Sequence, residues 1–201
     1  MYRSLARVVS FALHPFVMPL YMILLLLTDT TYASIYSLKV KIYLVWVTVL
    51  FTMIIPALVL MLLKSYHKIS DSDLTRRSER LIPVSAIAVC YLLCGVAVIR
   101  VPLAEMLSRF MFAAAACALL VMIISLFWKI SLHLTASGAI LSFVLMVHIA
   151  SGGRLMGALC AAIFAAGLLG SARLQLGYHT PMQVFAGFMT GLVVGAVIVL
   201  L

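Results

Sequence analysis

Seven continuous apolar runs, joined by short polar links, limit what this chain can fold into more than any other feature. Each run is close to the length that a helix needs to cross the hydrocarbon core of a bilayer. A membrane β-barrel would alternate apolar and polar residues instead. The sequence therefore predicts an all-α, polytopic transmembrane helical bundle of about six to seven spans. The expected spans cover residues about 11–28, 42–63, 81–99, 106–128, 132–150, 155–172 and 181–201.

Composition supports a membrane protein and argues against other classes. Of the 201 residues, 66% are hydrophobic, and the mean hydropathy is +1.27, a balance that no soluble domain has. The formal net charge of +9 comes from cations between the apolar runs. There they meet lipid headgroups or anionic substrates rather than nucleic acid. We expect residues 1–201 to form one integral membrane domain.

Cysteines and isolated histidines predict neither a metal site nor a bound cofactor. The four cysteines lie inside apolar runs, where they are typical of small packing residues. Cys90 and Cys94 share a helix face, but no other ligand lies near them in sequence. His14 lies in the first expected span, next to Pro15, and we expect it to have a structural role.

The polar links that carry chemically useful side chains all fall on one side of the membrane. Each span reverses the side, so alternate links share a side. By this count, links 64–80, 129–133 and 173–180 emerge together. A random scatter of polar clusters would agree less often. The shared side therefore predicts one site built from all three links.

The link that contains Arg173 and His179 is the most informative of the three. Polar ionisable groups at the edge of a membrane are costly, and by default they indicate a functional site. His179 and Gln183 are four residues apart and share a helix face. Thr180 suits the cap of that helix, and Pro181 suits its first turn. A cation and an imidazole at a helix N-terminus favour an anionic ligand. In the alternative interpretation, both side chains only reach lipid headgroups.

The other two links offer matching chemistry, each with a simpler alternative. Ser131 and His133 lie at the start of the fifth expected span, where a serine is often only a helix cap. Arg76, Arg77 and Arg80 have spacings that let two guanidinium groups point the same way on a helix. They also fit an ordinary basic loop under the positive-inside rule.

The segment around His179 resembles the third signature of the type 2 phosphatidic acid phosphatase family. The pattern is Ser171, then Arg173, five residues, His179, three residues and Gln183. The common form of the family has Ser and Arg adjacent, whereas Ala172 intervenes here. It also has Asp in the last position. Gln at that position is similar to the dolichyl diphosphatase and glucose-6-phosphatase versions.

Two further signatures resemble those of the family more loosely. Ser131 and His133 match the Ser and His of the second signature, although apolar residues replace the family's Pro and Gly. In the first signature, Asp73 stands where the family has Lys if Arg80 is its Arg, and two residues separate Arg80 from Pro83. The resemblance covers residues about 64–195.

The resemblance implies a metal-independent phosphatase without a cofactor. Planar arginine forks would clamp the phosphate oxygens. His179 would be the nucleophile and form a phosphohistidine, Gln183 would hold its other ring nitrogen, and His133 would protonate the leaving group. The implied residues are His179, His133 and Gln183 for catalysis, and Arg173, Arg80, Arg77 and Ser131 for phosphate binding.

The expected substrate is presented by the bilayer, because the chain has almost no extramembrane part. It is a lipid phosphate or a polyprenyl diphosphate, and the partners are membrane lipids. The resemblance points to a multi-pass protein of a bacterial inner membrane with its site facing the periplasm. Charge alone points to the cytoplasm: nine Lys or Arg lie on the site side and five on the other. If Arg77, Arg80, Lys129 and Arg173 are kept for the site, the comparison is five against five.

A protein without catalysis is the alternative function. A small transporter or a lipid-phosphate binding protein would use the same basic cluster for affinity alone. Such a protein would also favour polar residues at mid-bilayer, and those are sparse in this sequence. The glycines at 187, 191 and 195 recur every four residues after Gln183, and they predict a face of the last helix that packs closely into the bundle.

Overall fold

The computed structural model describes residues 2–28, 36–69, 79–101 and 104–200. Within these ranges, the chain forms nine α-helices and one π-helical turn, and no strand. Six of the helical segments are long and apolar enough to cross a membrane. This confirms the all-α, polytopic bundle. The helices are α1 (Tyr2–Ala12), α2 (Met18–Thr28), α3 (Leu38–Val49), α4 (Ile55–Ser65), α5 (Leu81–Ile99), α6 (Glu105–Phe127), α7 (Leu132–Ala150), α8 (Met156–Gln175) and α9 (Pro181–Leu200).

The first expected span, residues 11–28, is wrong as one continuous helix. α1 ends at Ala12 and α2 begins only at Met18. Pro15 gives the physical reason, because a proline disfavours helical backbone at the residue before it and supplies no N–H to the helix. α2 has 11 residues and is shorter than the six candidate spans.

Helix α1 has the character of a helix that lies in the membrane interface. Its small residues Ala6 and Ser10 are buried, and the helix packs against α8. Arg3 and Arg7 are exposed. A helix that exposes both basic residues and large apolar side chains suits the boundary between headgroups and acyl chains. The exposed apolar side chains are Tyr2, Leu5, Val8 and Phe11.

A π-helical turn, Leu50–Ile54, joins α3 to α4 within one long span. Pro56 lies in the first turn of α4, where its missing N–H disturbs the regular pattern of hydrogen bonds. Such turns often occur at functional positions. Here the turn carries Thr52, whose buried hydroxyl donates a hydrogen bond to the backbone oxygen of Phe16 at 3.2 Å. The turn therefore holds the break between α1 and α2.

Helices α7 and α9 form the closest contact of the bundle, and glycines make it possible. Gly187, Gly191 and Gly195 are all buried, which confirms the predicted packing face. A Cβ on Gly191 would collide with the backbone of Thr135, and a Cβ on Gly138 would collide with the backbone of Phe188. The two backbones therefore touch directly, and the N-terminal ends of α7 and α9 are held side by side.

Candidate active site

Three helix N-termini meet at one end of the bundle. Arg80 precedes α5, Ser131 caps α7, and Pro181 begins α9. A guanidinium N–H of Arg80 donates to the backbone oxygen of Ile130 at 2.7 Å. The backbone N–H of Ser131 donates to the backbone oxygen of Gln183 at 3.4 Å. Because the N-terminus of a helix carries partial positive charge, this end of the bundle favours an anion.

The connection between Arg173 and His179 is fixed by the way α8 ends. Arg173 lies in the last turn of α8, whereas the sequence predicted that this helix ends at residue 172. Gly177 has a φ of 72°, and its N–H donates to the oxygen of Leu174 at 3.0 Å. The N–H of Tyr178 donates to the oxygen of Arg173 at 3.3 Å. This pair of bonds is a Schellman motif, in which glycine readily takes the left-handed conformation.

Tyr178 also holds the Arg173 side chain. The guanidinium carbon of Arg173 lies 4.6 Å from the centre of the Tyr178 ring, a cation–π distance. Arg173 is only 2% exposed. The turn between α8 and α9 thus supplies the ring that contacts Arg173. The same turn leads the chain back to the site at His179.

Helix α9 begins with a capping box that also orients His179. The N–H of Gln183 lies 3.4 Å from the hydroxyl oxygen of Thr180, and the N–H of Thr180 donates to Oε1 of Gln183 at 3.1 Å. The same Oε1 lies 3.3 Å from Nδ1 of His179. Because this oxygen only accepts, Nδ1 is the donor of that bond. Nε2 of the neutral ring then keeps its lone pair, which is the state that a nucleophile needs.

Buried cations surround His179. Arg80 and Arg173 are each 2% exposed, and His179 is 8% exposed. Burial, together with the charge of Arg173, lowers the pKa of Arg80 to about 10. Burial lowers the pKa of Lys129 as well, with further contributions from Arg80 and Arg173. Like charges gathered away from water disfavour one another, so a bound anion would relieve this arrangement.

The same surroundings keep His179 neutral. Burial lowers its pKa to about 3, and the charges of Arg173, Lys129 and Arg80 add to the effect. The hydrogen bond to Gln183 acts in the opposite direction. At physiological pH, the imidazole therefore offers an uncharged ring nitrogen among cations.

A cavity of about 70 Å³ leads from this cluster into the bundle. Arg80, Arg173, His179 and His133 line its polar end. Its remaining wall is largely apolar and reaches residues deep in α5, α6 and α7. These include Ile87, Tyr91, Phe110, Val121 and Ala139.

The structure brings together most of the residues predicted from the sequence. His179, His133, Arg173 and Arg80 share the cavity, and Gln183 contacts His179. Arg77 lies outside the described residues, as does Arg76, so their place in the site stays a prediction.

Ser131 has a visible structural task. It is fully buried, and its hydroxyl oxygen lies 3.5 Å from the N–H of Leu134 at the start of α7. This is the cap that the simpler interpretation expected. Its phosphate-binding role stays a prediction.

Sequence reasoning counted Lys129 among the cations of the site without giving it a role, and it missed His14. Lys129 is half-buried and electrostatically coupled to Arg80, Arg173 and His179. Its position two residues before Ser131 in a short link was the available signal. His14 lines the cavity, and its ring centre lies 5.1 Å from that of His133. Its place in the first apolar run gave no sign of that contact.

The described residues contain no group of three or more His, Cys, Asp or Glu side chains arranged to hold a metal ion. Comparisons of the chain with protein-family models, with curated proteins and with solved structures gave no match.

Proposed function

We propose that this protein is an integral membrane phosphatase that hydrolyses a lipid phosphate or a polyprenyl diphosphate through a phosphohistidine. The observation that carries the proposal is a neutral, oriented imidazole among buried cations. Nδ1 of His179 faces Gln183. Burial, together with the charges of Arg173, Lys129 and Arg80, lowers the pKa of His179 to about 3. Cations suit the oxygens of a phosphate, and a ring nitrogen with a lone pair suits attack on its phosphorus.

The cations supply the electrostatic part of the proposed reaction. Phosphoryl transfer depends mainly on positioning the phosphate and stabilising charge on its oxygens in the transition state. Arg173 and Arg80 would clamp these oxygens, and Lys129 would add a third positive charge. The partial positive charges at the N-terminal ends of α5, α7 and α9 would stabilise the same anion.

His179 and His133 divide the chemical work. Nε2 of His179 would form a bond to phosphorus as the bond from phosphorus to the leaving oxygen breaks. His133, which would take up a proton when the anionic phosphate binds beside it, would give that proton to the leaving oxygen. Water would then attack the phosphohistidine, its proton would pass to His133, and His179 would leave as a neutral ring. His133 is 5% exposed and lines the cavity beside Arg173 and His179.

The cavity supports a substrate with an apolar chain. Its largely apolar wall continues inward from the cationic end. A free volume of about 70 Å³ is small compared with a pocket for a whole drug-sized ligand. The chain of a lipid would therefore extend between helices into the bilayer. We propose a bacterial inner membrane as the location, on the resemblance alone.

Phosphate release by the purified protein in detergent, with a chelator present, tests the proposal. Undecaprenyl diphosphate and phosphatidic acid would be offered in parallel. We expect release from at least one of them and its loss to background in His179→Ala. His148→Ala is the matched control, because His148 is half-buried near the opposite end of α7.

Two outcomes would contradict the proposal. Equal release by wild type and His179→Ala would exclude His179 as the nucleophile. Binding of vanadate or phosphate by a folded protein that hydrolyses neither lipid would favour the alternative, a non-catalytic lipid-phosphate binding protein or small transporter. In that case, His179→Ala would weaken anion binding but would have no turnover to lose.

A further inference from the structure

The break between α1 and α2 is a stabilised piece of irregular backbone inside the bundle. Helix breaks at membrane depth persist only where other groups satisfy the freed carbonyls. The hydroxyl of Tyr91 on α5 donates to the backbone oxygen of Pro15 at 3.2 Å, and the hydroxyl of Thr52 donates to that of Phe16 at 3.2 Å. Two other helices therefore supply donors to hold residues 13–17 open.

This break brings His14 to the wall of the cavity. The ring of His14 meets the ring of His133 edge to face, with centres 5.1 Å apart and planes at 86°. On its other side, the ring of Phe16 lies 4.6 Å away at 73°. The N–H of Phe16 donates to Nδ1 of His14 at 3.3 Å, so the neutral ring carries its proton on Nε2. A continuous helix through residues 11–28 would not form these contacts of His14 with Phe16 and His133.

His133 is held from two directions by this same part of the chain. It lies against the backbone of Ser10 on α1 and touches His14. Its Nε2 is buried and has no hydrogen-bond partner among the described residues. Nε2 is therefore the atom left for a ligand in the cavity.

We infer that His14 is a positioning residue that fixes the ring of His133 for proton transfer to the leaving group. This inference rests on the proposed function. As P–O bond cleavage proceeds, Nε2–H of protonated His133 gives its proton to the departing oxygen, and the bond from phosphorus to His179 forms. His14 touches neither phosphorus nor the leaving oxygen in this scheme. It holds the plane of the His133 ring, because proton transfer is sensitive to direction and distance.

A comparison of leaving groups separates this role from a merely structural one. Two phosphate monoesters of similar chain length would be used: an alkyl phosphate, whose alkoxide must be protonated, and a nitro-substituted alkylphenyl phosphate, whose phenolate leaves without a proton. The variant His14→Gln keeps an acceptor for the N–H of Phe16 but removes the ring. We expect its kcat for the alkyl ester to fall about tenfold to a hundredfold, with less than about a threefold change for the aryl ester.

Three further variants complete the test. His14→Phe keeps a flat ring against His133 and is expected to recover most of the alkyl-ester rate. His133→Ala is expected to show the same preference for the aryl ester, but more strongly. The double variant His14→Gln/His133→Ala is expected to be no slower than His133→Ala alone, because both changes remove one function. His148→Ala serves as the control for removing a half-buried histidine.

Equal losses on both esters in folded His14→Gln would overturn the positioning role, and so would an unchanged alkyl-ester rate. Additive losses in the double variant would overturn it as well. Thermal unfolding identifies a variant that has lost its fold. If either His14→Phe or His14→Gln has done so, the two esters are compared with the variant that remains folded. If wild type hydrolyses neither ester and neither lipid of the first test, the proposed function fails and the role of His14 fails with it. An active wild type with equal losses overturns His14 alone.

Discussion

The two ends of the bundle place arginine in opposite surroundings. At one end, Arg109 of α6 is about one-third exposed, pairs with Glu105 at 2.7 Å and donates to the backbone oxygen of Val199 at 2.9 Å. At the other end, Arg80 and Arg173 are each 2% exposed, and burial together with the charge of Arg173 lowers the pKa of Arg80 to about 10. The first arrangement neutralises a cation beside solvent, and the second concentrates cations away from it.

The difference separates residues that stabilise the fold from residues that prepare it for a ligand. A cation that has a carboxylate partner and a helix carbonyl gains modest stability from both. Buried cations beside one another cost stability, unless an anion joins them. The site end therefore places two buried cations where a phosphate would meet both of them.

The largest expected effect comes from removing one arginine at each end. We expect Arg173→Met to lower phosphate release about a thousandfold, because it removes a clamp on the transition-state charge. Arg109→Met should leave turnover within about threefold. Arg109→Met should lower stability by up to about 1 kcal/mol, since it loses a partly exposed ion pair. Arg173→Met relieves repulsion from Arg80 but also loses the contact with the Tyr178 ring.

Initial rates and chemical unfolding of the two variants measure both quantities. Inorganic phosphate should raise the unfolding midpoint of wild type and of Arg109→Met, but not that of Arg173→Met. A similar loss of activity in both variants, or an equal rise of the unfolding midpoint with phosphate in both, would show that the two ends do not differ as described.

The second prediction introduces a carboxylate at the site end, as Glu105 provides one beside Arg109 at the other end. In Gln183→Glu, the new charge beside Nδ1 should raise the pKa of His179 above its present value of about 3. Protonation removes the lone pair that attacks phosphorus. The acidic limb of the pH–rate profile should therefore move to higher pH, and anion affinity should fall.

Gln183→Leu is the matched variant without a charge. It removes the acceptor for both Nδ1 of His179 and the N–H of Thr180. We expect kcat to fall about tenfold to a hundredfold, as is typical when an orienting partner is lost. It should not move the acidic limb upward. An upward shift in Gln183→Leu equal to that in Gln183→Glu would contradict the electrostatic explanation.

The smallest expected effect compares two glycines on one face of α9. A Cβ on Gly187 would lie 2.7 Å from the backbone oxygen of Ser131 at the site end. A Cβ on Gly195 would meet mainly the hydroxyl of Ser142, which can rotate away. We expect Gly187→Ala to lower activity about tenfold and the stability by about 1–3 kcal/mol. Gly195→Ala should lower stability less and leave the specific activity unchanged.

Specific activity of the folded fraction, together with thermal unfolding, measures this pair. Gly167→Ala is a useful control, because a Cβ there would meet nothing within 4 Å. Equal effects of Gly187→Ala and Gly195→Ala on activity would mean that the α7–α9 contact matters for folding alone.

Much of the fold and part of the site could be predicted from the sequence, because the local patterns are strong. Continuous apolar runs specify membrane helices, and alternation of sides places Arg80, His133 and His179 at one end. The capping box at Thr180 and Gln183 follows from the residue types and their spacing. The small-residue spacing on α9 predicted its packing face for the same reason.

The remainder depends on contacts between residues that are distant in sequence. The meeting of His14 and His133 requires a break that Tyr91 and Thr52 hold open. No local sequence pattern predicts that Tyr91 and Thr52 bind the backbone of this break. Lys129 was visible as a cation, but only burial beside Arg80 and Arg173 gives it a perturbed pKa. The contact between Arg80 and Ile130 likewise spans fifty positions of the chain.

The five residues between Arg173 and His179 form a short connection from one helix to the next. Arg173 occupies the last turn of α8, and His179 stands immediately before the capping residue of α9. The residues between them are those needed to close the first helix and open the second. One residue more in α8 would rotate Arg173 about 100° around its axis and away from His179. The number of residues between Arg173 and His179 is thus set by helix geometry. Insertions there should be tolerated less than equal insertions in the Ser151–Arg154 turn.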